Sequence, residues 1–360
     1  VEGEGADEVP LDERHLVVRA MRETFERSGE QLPGTPKEPT VSPSRPTRVS
    51  VRAPATSANL GPGFDALGLS LRLYNTFEAS LREDGELRVR VEGEGADEVP
   101  LDERHLVVRA MRETFERSGE QLPGLDLKCV NGVPHARGLG SSSSAIVGGV
   151  AAASALLGRT GPDGGADRDG VYQIAADIEG HPDNVAPCVY GGYTVAYRDG
   201  DRWGAVSLAP DPRVVPVLCV PEWRLSTERA RGLLPEMVPH GDAAFNAGRA
   251  ALMTAAVCGH PEALYAATRD RLHESYRAPA MPETLDLIRD LRQHEKLPAV
   301  VSGAGPTVLV LCSTGAGEAS ADSPEIADQV DSIRRRAGKN WDIRPLLVEL
   351  AGVRSPSPHP

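Results

Sequence analysis

A segment of small and apolar residues near the middle of the chain places the strongest limit on its fold. Residues 141–157 have the sequence SSSSAIVGGVAAASALL, which contains no charged side chain. A helix that is apolar on every side must be buried, and its glycine and alanine positions allow neighbouring backbones to approach closely. The sequence therefore predicts a buried helix with other elements packed around it.

The loop that leads into this helix is rich in glycine. Residues 134–145 have the sequence PHARGLGSSSSA, in which Gly138 and Gly140 permit backbone angles that other residues avoid. The free amide groups and the dipole at a helix N-terminus attract anions such as phosphate. The segment matches neither GxxxxGK[ST] nor GxGxxG. A phosphate site is predicted, and a tight turn with a serine N-cap is the alternative.

Two more glycine-bearing segments lie at strand ends. Residues 53–69 (APATSANLGPGFDALGL) present Asn59 and Asp65, which suit an ammonium or hydroxyl group of a small ligand. The alternative is a glycine loop in which Asp65 caps a helix. Residues 301–307 (VSGAGPT) carry Gly303 and Gly305, where a turn can approach a phosphate or another backbone closely. A plain tight turn is equally compatible with that sequence.

A fourth segment gathers polar side chains ahead of a helix. Residues 179–187 have the sequence EGHPDNVAP, with His181, Asp183 and Asn184 close together. Either Asp183 or Asn184 can cap the following helix, but a cap needs only one of them. The surplus indicates a functional site.

The N-terminal region contains an exact repeat. Residues 1–34 recur letter for letter as residues 91–124. The second copy lies between strand-like segments and predicts a helix that is capped by Asp102 and ends at Gly119. Since one domain offers one groove for such a helix, we expect residues 1–47, which end in a Pro/Ser-rich linker, to form a loosely docked extension. A duplication without function and a regulatory arm both stay open.

Composition and charge exclude several classes of protein. The 52 acidic residues outnumber the 39 basic ones, which gives a net charge of −13 and no basic face for nucleic acid. No apolar run reaches about 20 residues, so neither a membrane span nor a secretory leader is expected. The five cysteines are far apart and form no CxxC pair, which is typical of reduced thiols in a cytoplasmic protein.

From residue 48 onward, strand and helix signals alternate in an α+β pattern. A new unit begins after Asp211 and Pro212. We therefore predict an N-terminal domain at residues 48–210, a C-terminal domain at 211–352 and a tail at 353–360.

Taken together and in this order, the four segments resemble the GHMP family of small-molecule kinases, over residues 48–350. Within that family, SANLGPGFDALGL, EGHPDNVAP and SGAGPT are similar to the homoserine kinase branch. Galactokinases carry a GEH-containing first motif, which is absent here, and mevalonate kinases place a lysine where this chain has Pro54, Ala55 and Thr56. The resemblance implies a two-lobed fold, with a ribosomal-protein-S5-like N-terminal domain and a ferredoxin-like α/β C-terminal domain.

The resemblance also implies an activity and a set of site residues. The activity is transfer of the γ-phosphoryl group of ATP, with Mg²⁺, to the hydroxyl of L-homoserine, a step of threonine biosynthesis. The ATP-binding loop is then Pro134, His135, Ala136, Arg137, Gly138, Leu139, Gly140, Ser141, Ser142, Ser143 and Ser144, with Gly303 and Gly305 near the phosphates. The substrate-binding residues are Asn59, Asp65, His181, Asp183, Asn184, Thr227, Arg231 and Arg277.

Within this set, Asp65 is expected to face the amino group of the substrate. Arginine suits the carboxylate because its planar fork binds through two parallel hydrogen bonds.

The chain departs from the family at the expected metal ligand. Some relatives have a magnesium-binding glutamate ten residues before the aspartate of the HPDN-like sequence, and this chain has Gln173 there. Gln is a weaker magnesium ligand, so we expect the metal to rely on Ser141 or Ser142. Glu179 is the nearest spare carboxylate, although surface solvation explains it equally well.

The missing lysine also bears on the mechanism, because it argues against a strong general base. Catalysis is expected to involve Asn184, Asp183 and Ser141, with Asn184 orienting the substrate hydroxyl and the phosphate accepting the proton. Asp183 as general base is the alternative.

Two other functions stay open. One is a GHMP kinase that acts on a different small alcohol, and the other is a non-catalytic sensor of ATP or an amino acid with the same fold. The unbroken GLGSSSS and SGAGPT segments weigh against the sensor. A homodimer is possible, since members of the family are often dimeric.

Overall fold

The computed structural model describes residues 45–161, 167–318, 320 and 322–354. The first copy of the repeat and residues 355–360 of the predicted tail lie outside these residues, so the predictions made for them stay predictions.

The first half of the described chain forms a mixed sheet of six strands. Its order is β3-β4-β2-β5-β6, and β1 pairs with β2. All pairs are antiparallel except β3 with β4. The register of β1 on β2 shifts between Pro54 and Ala55, where a proline is tolerated because it need not donate to the ladder. The strands are β1 (Arg48–Ala58), β2 (Leu67–Arg82), β3 (Leu87–Gly93), β4 (Gly124–Asn131), β5 (Tyr193–Asp199) and β6 (Arg202–Leu208).

Four helices cover this sheet: α1 (Leu106–Glu116), α2 (Ser141–Leu156), α3 (Arg168–Glu179) and α4 (Val185–Tyr190). The predicted buried helix is α2, which packs against β1, α1 and α3. A Cβ at Gly148 would lie 2.2 Å from the Phe77 ring, and one at Gly149 would lie 2.7 Å from the Val107 carbonyl oxygen. These glycines are therefore required by the close approach of neighbouring elements.

Helix α1 begins later than predicted. The residue that precedes its first turn is His105, and Asp102 lies in an earlier turn, where it accepts hydrogen bonds from both the backbone and the guanidinium group of Arg104. Leu101, which precedes Asp102, is 55% exposed. The end of the helix region at Gly119, with φ of 75°, agrees with the prediction.

The second half of the chain forms a smaller antiparallel sheet. The strands β7 (Val214–Pro221), β8 (Ala299–Val301), β9 (Val308–Ser313) and β10 (Trp341–Pro345) lie in the order β10-β7-β9-β8. Chain order and sheet order together match the βαββαβ arrangement of ferredoxin-like folds, as predicted. The helices are α5 (Thr227–Arg231), α6 (His240–Cys258), α7 (Leu264–Ala267), α8 (Glu274–Arg277), α9 (Pro282–His294) and α10 (Pro324–Ala337), with short 3₁₀ turns at Pro261–Ala263 and Ala278–Ala280.

The two sheets share a hydrophobic core. Leu69 and Leu71 of β2 lie in one buried cluster with Leu218 of β7 and Leu309 of β9. Strand β10 ends at Pro345, and the chain then returns to the first sheet. There it forms isolated bridges from Val348 to Leu71 and from Arg354 to Arg52. The domain limits at 210 and 352 stay a prediction.

Candidate active site

The N-terminus of α2 opens into a cavity, as the sequence predicts for an anion site. Gly138 and Gly140 have φ of 73° and 65°, in the left-handed region. A Cβ at Gly138 would lie 2.2 Å from the Ser302 carbonyl oxygen, and one at Gly140 would lie 2.0 Å from Thr56 Oγ1. The helix is preceded by Gly140 and has no side-chain cap, so the serine N-cap alternative is wrong. Its first amide groups stay available to a ligand.

The cavity has a volume of about 550 Å³, and both halves of the chain line it. The predicted residues that line it are Asn59, His135, Ala136, Arg137, Gly138, Leu139, Gly140, Ser141, Ser142, Glu179, His181, Asp183, Asn184, Thr227, Arg231, Arg277 and Gly303. The predicted residues that do not line it are Asp65, Pro134, Ser143, Ser144, Gln173 and Gly305. Most of the predicted site is therefore brought together in one space.

Asn184 is held from two sides at the centre of the cavity. Thr56 Oγ1 donates to Asn184 Oδ1 at 2.7 Å, and the backbone amide of Asn184 donates to Asp183 Oδ1 at 2.9 Å. His181 Nδ1 lies 2.8 Å from the same Asp183 oxygen. Burial alone would lower the pKa of His181, but the hydrogen bond to Asp183 and the carboxylates of Asp183 and Glu179 outweigh it, so the pKa is raised. Asp183 is 2% exposed, and its carboxylate binds His181 and the backbone amide of Asn184.

Two arginines from the second half of the chain reach the cavity on either side of Phe64. The centre of the Arg231 guanidinium lies 5.6 Å from the Phe64 ring centroid, and that of Arg277 lies 5.5 Å from it. Arg231 binds the carboxylate of Asp65 through both terminal nitrogens, at 2.6 and 3.2 Å. Burial, and then the charge of Arg231, lowers the pKa of Arg277. This end of the cavity is suited to a carboxylate.

The amide of Asn59 is used by the protein itself. Its Nδ2 donates to the Gly303 carbonyl at 2.8 Å, and its Oδ1 accepts from the backbone amide of Asp65 at 2.9 Å. Asn59 has φ of 67° and is 3% exposed. It therefore fixes the loop that carries Asp65, in addition to lining the cavity.

The segment at Gly303 and Gly305 packs against the loop that leads into α2 (the helix-entry loop, residues 134–140). Ser302 Oγ lies 2.7 Å from the Gly138 carbonyl oxygen and 2.8 Å from Ser57 Oγ. The Gly305 carbonyl oxygen would lie 2.8 Å from a Cβ at Gly138. Only Gly303 of the two glycines lines the cavity, so the turn serves close backbone approach.

The two candidate metal ligands on α3 face different ways. The side-chain amide of Gln173 is held on the backbone of Trp203, donating at 2.7 Å and accepting at 3.0 Å, and Gln173 does not line the cavity, so it does not face a metal there. Glu179 Oε1 instead accepts from Ser142 Oγ at 2.7 Å and from Ser143 Oγ at 2.8 Å. The carboxylate at the mouth of the helix-entry loop is therefore Glu179.

Several residues of the cavity were missed by sequence reasoning. Its far end is lined by Asn75, Phe77, Val99, Pro100, Arg104, His105, Leu106, Val107 and Asn131. Six of these lie in the second copy of the repeat, whose apolar spacing predicted only a packed helix. Burial lowers the pKa of His105 and of His135. Thr56 was also missed, and its signal was its place in the first motif, where related kinases have a lysine.

Comparison with known proteins agrees with this geometry. Residues 105–192 match the family described as GHMP kinases N terminal domain, and residues 255–340 match GHMP kinases C terminal. The homoserine kinase of Streptomyces avermitilis is 49% identical over 309 residues, which cover 86% of this chain and 96% of that protein. The homoserine kinase of Streptomyces coelicolor is 46% identical over 309 residues, covering 86% and 94%.

A solved structure gives the same fold. The crystal structure of homoserine kinase from Cytophaga hutchinsonii superposes with a TM-score of 0.73 at 23% identity, covering 87% of this chain and 98% of that one. The fold and the glycine-lined cavity at a helix N-terminus thus define a GHMP-type small-molecule kinase. The chain belongs to the GHMP kinase family, and within it to the homoserine kinases.

Proposed function

We propose that this chain transfers the γ-phosphoryl group of ATP to the side-chain hydroxyl of L-homoserine, which yields O-phospho-L-homoserine. The observation that carries the proposal is the common cavity, in which the amide groups at the start of α2 and the buried arginine Arg277 line one space with Asn184. The first group suits a triphosphate, and the second suits the carboxylate of an amino acid. A reaction between the two requires both in one space.

At the nucleotide end, the triphosphate lies against the backbone of Gly138, Gly140 and Ser141. These amides stabilise the charge that spreads over the transferred group, and they need no reorganisation during the reaction. The base lies toward Val99 and Leu106, which form the apolar end of the cavity. This assigns the second copy of the repeat to nucleotide binding.

The donors beside the triphosphate fit Mg²⁺. One carboxylate, from Glu179, and the hydroxyl of Ser142 stand at the loop, and Mg²⁺ is commonly held by one or two carboxylates together with phosphate oxygens and water. Ser141 lines the same part of the cavity. When bound, the ion neutralises negative charge on the β- and γ-phosphates. Because Gln173 is bound to Trp203, we assign it no part in this site.

At the acceptor end, Arg277 and Arg231 take the carboxylate of L-homoserine. Asp65 does not line the cavity in the structure, but it is bound to Arg231, which does, and it takes the ammonium group of the substrate once that pair opens. In the structure Asp65 and Arg231 pair with each other. When a zwitterion binds, its carboxylate can replace Asp65 as the partner of Arg231 and its ammonium group can replace Arg231 as the partner of Asp65, so neither side chain is left with an unpaired charge. Thr227 and His181 line the same part of the cavity. A neutral alcohol offers no such exchange, which favours an amino acid as acceptor.

The hydroxyl of the acceptor is oriented by Asn184, whose own position is set by Thr56. Phosphoryl transfer requires mainly in-line positioning and charge stabilisation, so a strong base is not needed. Asp183 already accepts from His181 and from the Asn184 amide, so we assign it the role of holding these two. The proton passes to the phosphate late in the reaction.

Incubation with Mg-ATP and L-homoserine tests the proposal, with O-phosphohomoserine detected by mass spectrometry. We expect homoserine to outcompete mevalonate, galactose and shikimate by orders of magnitude. Preference for another alcohol would indicate a different GHMP kinase, and binding of ATP and homoserine without ADP formation would indicate a sensor. A shortened chain that begins at Pro46 should have unchanged activity, since the cavity is lined by the described residues.

The setting of the enzyme is proposed as the cytoplasm. All five cysteines are free and four of them are buried, as in proteins of a reducing compartment. No helix in the described part of the chain combines the length and apolarity that crossing a membrane requires. A homodimer is our expectation for the assembly, and size-exclusion chromatography with light scattering tests it.

A further inference from the structure

Arg277 is fixed along one side of its guanidinium group. It is 1% exposed, and its Nη1 donates to the Gly303 carbonyl at 3.0 Å and to His273 Nδ1 at 3.1 Å. Its Nε is buried and has no partner among the described residues, and the guanidinium hydrogen bonds that the structure shows both come from Nη1. Nε and Nη2 form the edge of arginine that binds a carboxylate through two parallel bonds. Nη1 is committed to Gly303 and His273, which leaves the Nε–Nη2 edge for a carboxylate.

The contacts of His273 define a single protonation state. Its Nε2 lies 2.7 Å from the Gly61 carbonyl, which can only accept, so Nε2 carries the proton. Arg277 can only donate, so Nδ1 must be without a proton. His273 is therefore a neutral imidazole, and its full burial, which lowers its pKa, agrees with that state.

The imidazole is itself held in place. The carboxylate of Asp270 accepts from the backbone amides of Leu272, His273 and Glu274, at 2.8 to 3.0 Å, which fixes the backbone from which His273 projects. The ring of Phe64 packs against the imidazole, with centroids 5.3 Å apart. His273 thus has one orientation, and its Nδ1 presents an acceptor to Arg277 at a defined point.

We propose that His273 is a positioning residue for substrate binding: its unprotonated Nδ1 holds Nη1 of Arg277 and thereby presents the Nε–Nη2 edge to the carboxylate of the acceptor. This inference rests on the proposed function, because it requires that Arg277 binds that carboxylate. His273 does not touch the substrate and acts through Arg277 alone. Without this partner, Arg277 would keep its charge and its bond to Gly303, but one of the two contacts that orient its guanidinium group would be lost.

Two substitutions separate the two nitrogens of the ring. His273→Asn places an amide oxygen near the position of Nδ1 and keeps an acceptor for Arg277, whereas His273→Gln places a donor near Nε2 and keeps only the bond to Gly61. We expect His273→Gln to raise KM for L-homoserine about tenfold, with kcat and KM for ATP within about twofold. His273→Asn should raise it less than about threefold. With homoserinamide, which lacks the carboxylate charge, the two variants should differ less than about twofold.

Arg277→Gln distinguishes failure of this inference from failure of the proposed function. If Arg277→Gln leaves KM for homoserine unchanged, the proposed carboxylate site is wrong. The positioning role is overturned if Arg277→Gln raises KM for homoserine about 100-fold but the His273 variants do not act on homoserine selectively. That outcome is either an equal change in KM for ATP and KM for homoserine in both His273 variants, or no change in either constant. Should the His273 variants not fold, ¹⁵N NMR of the wild-type histidines decides, because a buried imidazolium at pH 7 contradicts the proposal and an Nε2–H neutral tautomer supports it.

Discussion

Thr56 donates its hydroxyl to Oδ1 of Asn184 at 2.7 Å, across 128 residues of sequence, and so fixes the side chain proposed to orient the acceptor. Thr56→Val keeps the shape of the side chain but removes the donor. We expect kcat to fall about fivefold, since one hydrogen bond of this kind contributes about 1 kcal/mol. KM for ATP should change little. Steady-state kinetics with Thr56→Ser as the matched control checks this, because serine keeps the hydroxyl and should retain most of the activity.

Gly140 lies between the nucleotide loop and this pair. In Gly140→Ala, the new Cβ would lie 2.0 Å from Thr56 Oγ1 and 3.0 Å from Asn184 Oδ1, at a φ of 65° that alanine tolerates poorly. We expect a loss of at least about 100-fold in kcat/KM for ATP. Isotope-labelled or coupled ADP assays measure it.

The control for this glycine is Gly158, beyond the other end of α2. Its φ is 71°, but a Cβ there would meet only Arg45 Cγ, at 3.5 Å. Gly158→Ala therefore carries similar backbone strain without the clash and should leave kcat/KM nearly unchanged. Equal losses in the two variants would mean that strain at the ends of the helix, and not the clash at the site, causes the effect.

Asp183→Asn should leave measurable activity. The asparagine oxygen can still accept from His181 and from the Asn184 amide, so the geometry around Asn184 survives. We expect a loss below about 100-fold in kcat, because general-base catalysis would account for up to about 10⁴-fold. Turnover measured together with thermal unfolding checks this. A loss on the order of 10⁴-fold in a folded variant would restore Asp183 as the general base.

Glu179→Gln should weaken the response to magnesium. Among the described residues, the substitution removes the one carboxylate that binds Ser142 and Ser143, and a neutral amide is a poor ligand for Mg²⁺. We expect the Mg²⁺ concentration for half-maximal activity to rise about tenfold. Titration of activity with Mg²⁺ at fixed ATP measures it. Gln173→Ala is the comparison, and it should lower stability by about 1 kcal/mol without moving the Mg²⁺ titration.

The sequence predicts the site best where local chemistry alone decides the structure. The uncharged, small-residue composition of α2 requires burial, and the positive φ values of Gly138 and Gly140 follow from the turn that must precede it. The predicted loops converge on one cavity because each lies at the end of a strand or helix that packs on the same core. Their order along the chain resembles that of a known family, and this resemblance predicts that they form one site.

The metal ligand shows why counting along the chain is not sufficient. Gln173 and Glu179 are six residues apart on α3, so at 100° per residue they point about 120° apart around the helix. Gln173 and Asp177 share the face that contacts Trp203, whereas Glu179, at the last residue of the helix, reaches Ser142. Which face lies toward the cavity depends on tertiary packing, and the spacing of one motif does not encode it.

His273 was missed for a similar reason. It precedes a helix of only four residues, whose geometry is fixed by Asp270 and by the distant Gly61. No periodic pattern marks so short an element. The lining of the nucleotide end was missed because Leu106 and Val107 have the same spacing whether they face a core or a ligand.

Glu274 provides a test of the pH dependence of stability. Burial, followed by the charge of Asp270, raises the pKa of Glu274 to about 8, whereas the unfolded value is about 4.5. Between these values the folded state binds more protons than the unfolded state, so the stability that this group contributes is complete below pH 4.5 and is lost as pH rises through 8. Glu274→Gln keeps the acceptor for the Val301 amide, at 2.8 Å in the wild type, but cannot ionise.

We therefore expect the difference in the free energy of unfolding between Glu274→Gln and the wild type to grow in favour of the variant as pH rises from about 5 to about 8.5, by on the order of 2 kcal/mol. Urea unfolding at several pH values measures this difference. Glu236→Gln, in an exposed loop, is the control and should show no such trend. A difference that stays constant with pH for Glu274→Gln would mean that the buried carboxyl does not hold its proton in the folded state.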